Sequence, residues 1–167
     1  MNKNSLTRGV IFIHSTPRAL CPHIEWAISH VLETEIKLQW TKQSIDEKVY
    51  RTEHSWIGQV ATGAKLASAL RGWEHLRYEI TEEPTLLTDG GRWVHTPELG
   101  IFYSQMDRNG NMLISENRVR AVLEYQDDPK RMIHELKLAL GNAWDEELEP
   151  FRQGSDGDNL RWLHRTE

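Results

Sequence analysis

A chain of 167 residues and 19.5 kDa has the length of one domain. It can bury roughly two-thirds of the surface its unfolded form exposes, so it needs neither disulfides nor a metal for stability. Hydrophobic content of 38% and charged content of 27% exclude a disordered chain. The single cysteine, Cys21, excludes an internal disulfide framework and a cysteine-rich zinc module.

No apolar run approaches the roughly 20 residues of a membrane span. The start, Met1-Asn2-Lys3-Asn4-Ser5-Leu6, has no apolar stretch of signal-peptide length. The expectation is a cytoplasmic protein with no membrane partner. Residues 1–84 carry ten basic and ten acidic side chains, whereas residues 85–167 carry ten and fifteen, so the net charge of −5 lies in the second half. No Lys/Arg block appears, and the longest basic run is Lys130-Arg131. Phosphate neutralisation supplies most nucleic-acid affinity, so no nucleic-acid partner is expected.

Gly9-Val10-Ile11-Phe12-Ile13-His14 is a nearly continuous apolar run, the pattern of a strand buried on both faces. The loop Ser15–Leu20 follows, and Pro22 stands where a first helical residue is pre-organised. Ile24, Ala27, Ile28, Val31 and Leu32 then recur at the spacing of an amphipathic helix. Ile36, Leu38 and Trp40 alternate with polar residues, as in a strand with one wet face. A polar connection, Lys42–Lys48, leads to a second alternating strand over Tyr50–Trp56.

A second helix is predicted from Gly58 or Gln59, with Val60, Gly63, Ala64, Ala67, Leu70 and Trp73 inward and Gly72 as its C-cap. Leu76, Tyr78 and Ile80 mark the next strand, which Pro84 stops. Strand, helix, strand, strand, helix, strand is the ferredoxin-like βαββαβ order. That places a core at residues 7–84, with Lys37, Gln39, Arg51, Glu53, Arg77 and Glu79 on the sheet face away from both helices.

Residues 85–167 read as an extension packed on this core as one domain. Arg92–His95 and Ile101–Met106 look like strands, and Asn109-Gly110 before Met112-Leu113-Ile114 signals a hairpin. Ser115 can cap a helix with Val119, Val122 and Leu123 inward. Asp128-Pro129 reads as N-cap and first residue of another helix, with Met132, Ile133, Leu136 and Leu140 buried and Gly141 ending it. Trp144, Phe151, Trp162 and Leu163 make the last segment too apolar for a solvated end. The fold class is therefore α+β, a ferredoxin-like core with a C-terminal β-hairpin and two helices.

The densest polar constellation is His14-Ser15-Thr16-Pro17-Arg18-Ala19-Leu20-Cys21-Pro22-His23, joining a strand to a helix. A helix start offers free N–H donors and partial positive charge, which can stabilise a thiolate at Cys21 or hold an anion. Ligand-binding candidates are His14, Ser15, Thr16, Arg18, Cys21, His23 and Trp26. A nucleophilic reading has Cys21 attack, with His23 or His14 taking its proton. A lone cysteine is more often a small buried hydrophobe, so catalysis is the weaker alternative. His23 and His30 share a stripe beside the apolar face with Trp26 between them, but lie roughly 10 Å apart along the axis, too far for one zinc. His54 and His14 could meet on the helix-covered side. No pair has zinc-ligand spacing, and neither metal nor cofactor is expected.

Seven tryptophans is high for this length. Trp40, Trp56 and Trp73 end elements and are expected in the core. Trp26 lies off the apolar stripe, so it either meets the extension, the favoured expectation, or lines a binding surface. The acidic stretch Asp145–Glu149 could contact a cation or a basic partner, though a solvated helix face is the default. Asp107–Asn111 lacks the spacing of a calcium loop and reads as a turn.

The strings Cys21-Pro22-His23-Ile24-Glu25-Trp26-Ala27, Ala69-Leu70-Arg71-Gly72-Trp73, Thr81-Glu82-Glu83-Pro84, Thr96-Pro97-Glu98-Leu99-Gly100-Ile101-Phe102 and Trp144-Asp145-Glu146-Glu147-Leu148-Glu149-Pro150-Phe151-Arg152 resemble an uncharacterised actinobacterial family, a domain of unknown function. The likeness spans nearly the whole chain and brings no activity, cofactor or catalytic residue. It implies a connection to fatty-acid synthesis, as an accessory or structural subunit near acyl chains or their carrier. Residues and resemblance together suggest a binding or regulatory module. Its partner would be a small anionic ligand or a protein met at the junction 14–23, and the chain is a possible homo-oligomer.

Overall fold

The apolar run near the start lies within a long strand, β1 (Leu6–Pro17), flanked by strands on both sides. The computed structural model describes residues 6–153. Six further strands follow: β2 (Thr41–Gln43), β3 (Asp46–Gln59), β4 (Arg77–Glu82), β5 (Gly90–Thr96), β6 (Gly100–Met106) and β7 (Met112–Leu113). They form one antiparallel sheet in the order β2-β3-β1-β4-β5-β6-β7. The helices are α1 (Cys21–Leu32), α2 (Thr62–Leu70), α3 (Glu116–Leu123), α4 (Pro129–Ala139) and α5 (Asn142–Gln153). The class is α+β, and no described helix is long and apolar enough to cross a membrane.

Side chains alternate across a strand, so β1 sends Ile11 and Ile13 to one face and Phe12 to the other. Ile11, Ile13, Trp56, Tyr78 and Ile80 meet Ile24, Ala27 and Ile28 of α1 and Leu66, Ala67 and Leu70 of α2. Burying each large aliphatic side chain contributes about 1.5–3 kcal/mol, so this layer is the main source of stability. Gly9 has a steric role in it. A Cβ there would lie 1.8 Å from the Thr81 carbonyl oxygen and 2.5 Å from the Trp56 ring. The opposite face carries Phe12, Glu79 and Val94 side by side in register. Helix α5 crosses that face with Leu148 and Arg152 buried.

The first turn of α2 is capped from a distance. Ala61 precedes the helix in the left-handed region (φ 74) and supplies no side-chain cap. Glu82, on β4, instead accepts the Ala61 N–H at 2.8 Å and the Gly63 N–H at 2.7 Å. A carboxylate at a helix start also meets the positive end of the helix dipole.

Several expectations need correction. Residues 36–40 form no strand; the pairing begins at Thr41 and the predicted connection 42–48 belongs to the β2–β3 hairpin. The reason is competition for donors: Ser29 Oγ takes the Ile36 N–H at 2.9 Å, and Glu25 Oε1 takes the Leu38 N–H at 3.0 Å. Helix α2 starts at Thr62 and ends at Leu70, and its C-cap is Arg71 in right-handed geometry, so Gly72 is not a left-handed cap. Ser115 and Asp128 do cap α3 and α4, accepting the Arg118 and Arg131 N–H groups. Yet α4 buries no residue, with Ile133 52% exposed, and of the α3 stripe only Val122 is buried. Segment 142–153 is helical, while Trp162 and Leu163 lie outside the described residues.

Replacing Glu82 by Ala leaves two helix-start amides without their acceptor. Urea unfolding should show a loss of about 1–3 kcal/mol. An unchanged midpoint would contradict the long-range cap.

Candidate functional site

The strand–helix junction holds together as chain but not as a cluster. Register shifts in β1 fall between Ile13 and Ser15 against β4, and between Ile13 and Thr16 against β3. Past this irregularity, Ser15 is 3% exposed and Thr16 fully buried, its hydroxyl directed to the Pro17 carbonyl at 3.4 Å. A 3₁₀ turn, Arg18–Leu20, then runs into α1. The Cys21 N–H is spent on the Arg18 carbonyl, and Pro22 has none to offer. Two donors expected at this helix tip are therefore missing.

Cys21 is buried, with Sγ 3.9 Å from the Pro17 carbonyl oxygen. Burial pushes its thiol up, and the charge of Glu25 adds to that. A thiol held protonated is a poor nucleophile. Arg18 is exposed and leans on Tyr50, with Nη1 donating to the phenol oxygen at 3.1 Å and the guanidinium 5.6 Å from the ring centre.

His14 goes to the opposite side of the sheet from α1. It is buried beneath α5, stacked on Phe12 at 5.9 Å, with Nε2 3.8 Å from Glu79 Oε1. His54 pairs with Ile11 on the α1/α2 face, so the expected meeting of His14 with His54 does not occur. Among the described residues, no group of three or more His, Cys, Asp or Glu is placed to hold a metal ion.

Around His14 lies a polar constellation that sequence reasoning missed. Glu79, with no exposed surface, is bonded to Arg152 and lies 3.5 Å from Arg92 Nη2. Asp145 bridges the two guanidinium groups, at 2.5 Å from Arg92 and 2.8 Å from Arg152. Glu147 stands 3.4 Å from Arg77, whose guanidinium also covers the Phe151 ring at 4.5 Å, and Glu149 lies 3.6 Å from Arg152. The acidic stretch of α5 is therefore not a solvated face, since only Glu146 and Pro150 of residues 145–150 are exposed. Two signals pointed to it: charged residues inside apolar strands (Tyr78-Glu79-Ile80 and Arg92-Trp93-Val94), and an arginine seven residues after Asp145 on one helix face.

The cluster sets the state of His14. Burial, followed by the charges of Arg152, Arg51 and Arg92, lowers its pKa to about 3, against a smaller opposing pull from Glu53. The imidazole is neutral at physiological pH and, among the described residues, its Nε2 has no hydrogen-bond partner. Such a weak base, sealed from solvent, is a poor proton acceptor for catalysis.

Of the junction and the helix that follows it, the outer side of α1 is open. His23, Trp26 and His30, three and then four residues apart, all face solvent. Trp26 is 69% exposed and stacks on His30 with centres 5.8 Å apart and planes 12° from parallel. No contact with the described part of the extension, residues 85–153, covers it, although packing on the extension is the favoured expectation. Glu25 turns inward instead, accepting from the Leu38 N–H and from Trp40 Nε1 at 3.0 Å each.

The buried imidazole of His14 makes stability depend on pH. Its folded pKa lies below the unfolded value, so the unfolded chain binds the proton first as pH falls. The associated stability is complete above about pH 6.5 and is lost toward about pH 3, by up to about 1.4 kcal/mol per unit. In urea unfolding between about pH 7 and pH 4.5, His14→Phe should show a shallower acid loss than the native chain. Equal slopes would contradict a buried neutral imidazole.

No curated protein and no solved structure matches the chain. Residues 10–165 match the family described as protein of unknown function (DUF3145), and the chain belongs to that family.

Proposed function

We propose that the chain is a non-catalytic binding module that docks a carboxylate-bearing protein surface on the outer side of α1. The observation that carries this reading is the 69% exposure of Trp26 between two exposed imidazoles. Tryptophan is enriched at interface hot spots, because it buries a large area and keeps one N–H for a partner acceptor. With Glu25 engaged inside the fold, the exposed polar groups three residues before and four after Trp26 are His23 and His30, and Arg18 is exposed just ahead of the helix; all three are hydrogen-bond donors. Arg18 and His23 are thus the junction residues this reading retains, with Trp26 at the centre.

The other readings have less support. A small anion at residues 14–23 would find Ser15 and Thr16 buried and the Cys21 amide already used. An enzyme with Cys21 as nucleophile would begin from a buried, protonated thiol. The finer fold reading, a ferredoxin-like unit over 7–84, is supported by the order β2-β3-β1-β4 with α1 and α2 on one face. A cytoplasmic site of action and an accessory role near fatty-acid synthesis belong to the same proposal and rest on the lone cysteine and on family resemblance.

The test is affinity capture on the immobilised chain, followed by titration of the captured protein. Trp26→Ala should keep the fold and weaken binding about 30-fold, equivalent to about 2 kcal/mol. His23→Ala should weaken it less. Capture that is indifferent to Trp26→Ala contradicts the proposal, and saturable quenching of tryptophan emission by phosphate, abolished by His23→Ala, would favour the small-anion reading.

A further inference from the structure

Strand β6 is paired with β5 along its whole length, from Gly100 opposite Thr96 to Met106 opposite Gly90. On its other side β7 meets only Gln105 and Met106. Among the described residues, the outer edge over Gly100–Ser104 has no partner strand. At its first residue the Gly100 carbonyl accepts from Trp144 Nε1 at 3.0 Å; Ile101, Phe102, Tyr103 and Ser104 follow.

An unpaired edge is a template for another strand, and soluble proteins usually blunt it with charge, proline or a bulge. This edge has none of these. Leu99 to Gln105 contains no charged residue and no proline, and the β5–β6 register runs without a shift. Its surroundings are apolar and open: Ile101 is 40% exposed, Tyr103 55%, Leu99 40% and Leu113 41%. Strand β3 also continues beyond its β2 partner; its outer edge carries the exposed Glu53 and then the uncharged stretch His54–Gln59, where Ile57 is 74% exposed.

The residue order along β6 also fits its own copy. In an antiparallel pair related by a two-fold axis through Phe102, Ile101 of one copy stands opposite Tyr103 of the other, twice, and Phe102 stands opposite Phe102. Aromatic residues opposite β-branched ones are among the favoured cross-strand pairs. We infer that two copies of the chain join edge to edge through β6, continuing the sheet across a two-fold axis centred on Phe102.

The edge is short, so the dimer should depend on concentration. Sedimentation equilibrium of the full chain from low micromolar to near-millimolar concentration should show the mass rising from 19.5 kDa toward twice that value. Ile101→Lys places an ammonium opposite Tyr103 of the other copy and should hold the mass at that of one chain, with circular dichroism unchanged. Tyr103→Lys should do the same, which covers a failure of the first variant to fold. Combining Ile101→Lys with Tyr103→Glu sets opposite charges across each pair and should restore the dimer. A native chain that stays single at the highest concentration overturns the inference, as does a dimer that survives Ile101→Lys. A double variant that remains single overturns the register about Phe102.

Discussion

Glu79 is the residue on which the arrangement depends. It sits on a central strand with no exposed surface, and a carboxylate in such a place is very costly unless cations and donors surround it. Arg92 comes from the neighbouring strand, and Arg152 comes from α5, 73 residues further along the chain. Asp145 then balances the second guanidinium. Four charges close on one another, and because one of the cations belongs to α5, satisfying Glu79 requires that helix to lie across the sheet. Leu148, fully buried, adds the apolar contribution to the same seat.

That seat decides which surfaces are available for function. It seals His14, and the three arginines near the imidazole keep it neutral. It also consumes the acidic stretch of α5, so a run that resembles a basic-partner contact is turned onto Arg77, Arg92 and Arg152 of the same chain. The α1/α2 face is occupied by the aliphatic core. Among the surfaces that the described residues leave facing solvent are the outer side of α1 and the edge of β6, each with an aromatic residue more than half exposed.

Local signals were readable in the sequence because their physics is local. The spacing of Ile24, Ala27 and Ile28 made α1 legible; Ser115 and Asp128-Pro129 marked helix starts, and Gly141, at φ 75, marked a helix end. What escaped depends on distant partners. Ile36, Leu38 and Trp40 alternate as a strand does, yet the Ile36 and Leu38 amides go to side chains of α1. The start of α2 is fixed by Glu82, some twenty residues onward. Of the candidate site, Arg18, His23 and Trp26 lie on the surface, while His14 lies on the Phe12–Glu79 face and not on the helix-covered side where it could meet His54. The burial of Glu79 could not be read from alternation, which assigns a residue to a face without saying what covers it.

The most direct test of Glu79 as the anchor of α5 is a double-mutant cycle with Arg152, using Glu79→Gln, Arg152→Gln and the pair, with unfolding followed by far-ultraviolet circular dichroism. If the buried ion pair seats α5, each single variant loses stability and the double variant loses less than the sum, with a coupling of about 1–3 kcal/mol. Additive losses would show that the two side chains act independently, and that something other than Glu79 holds the helix across the sheet.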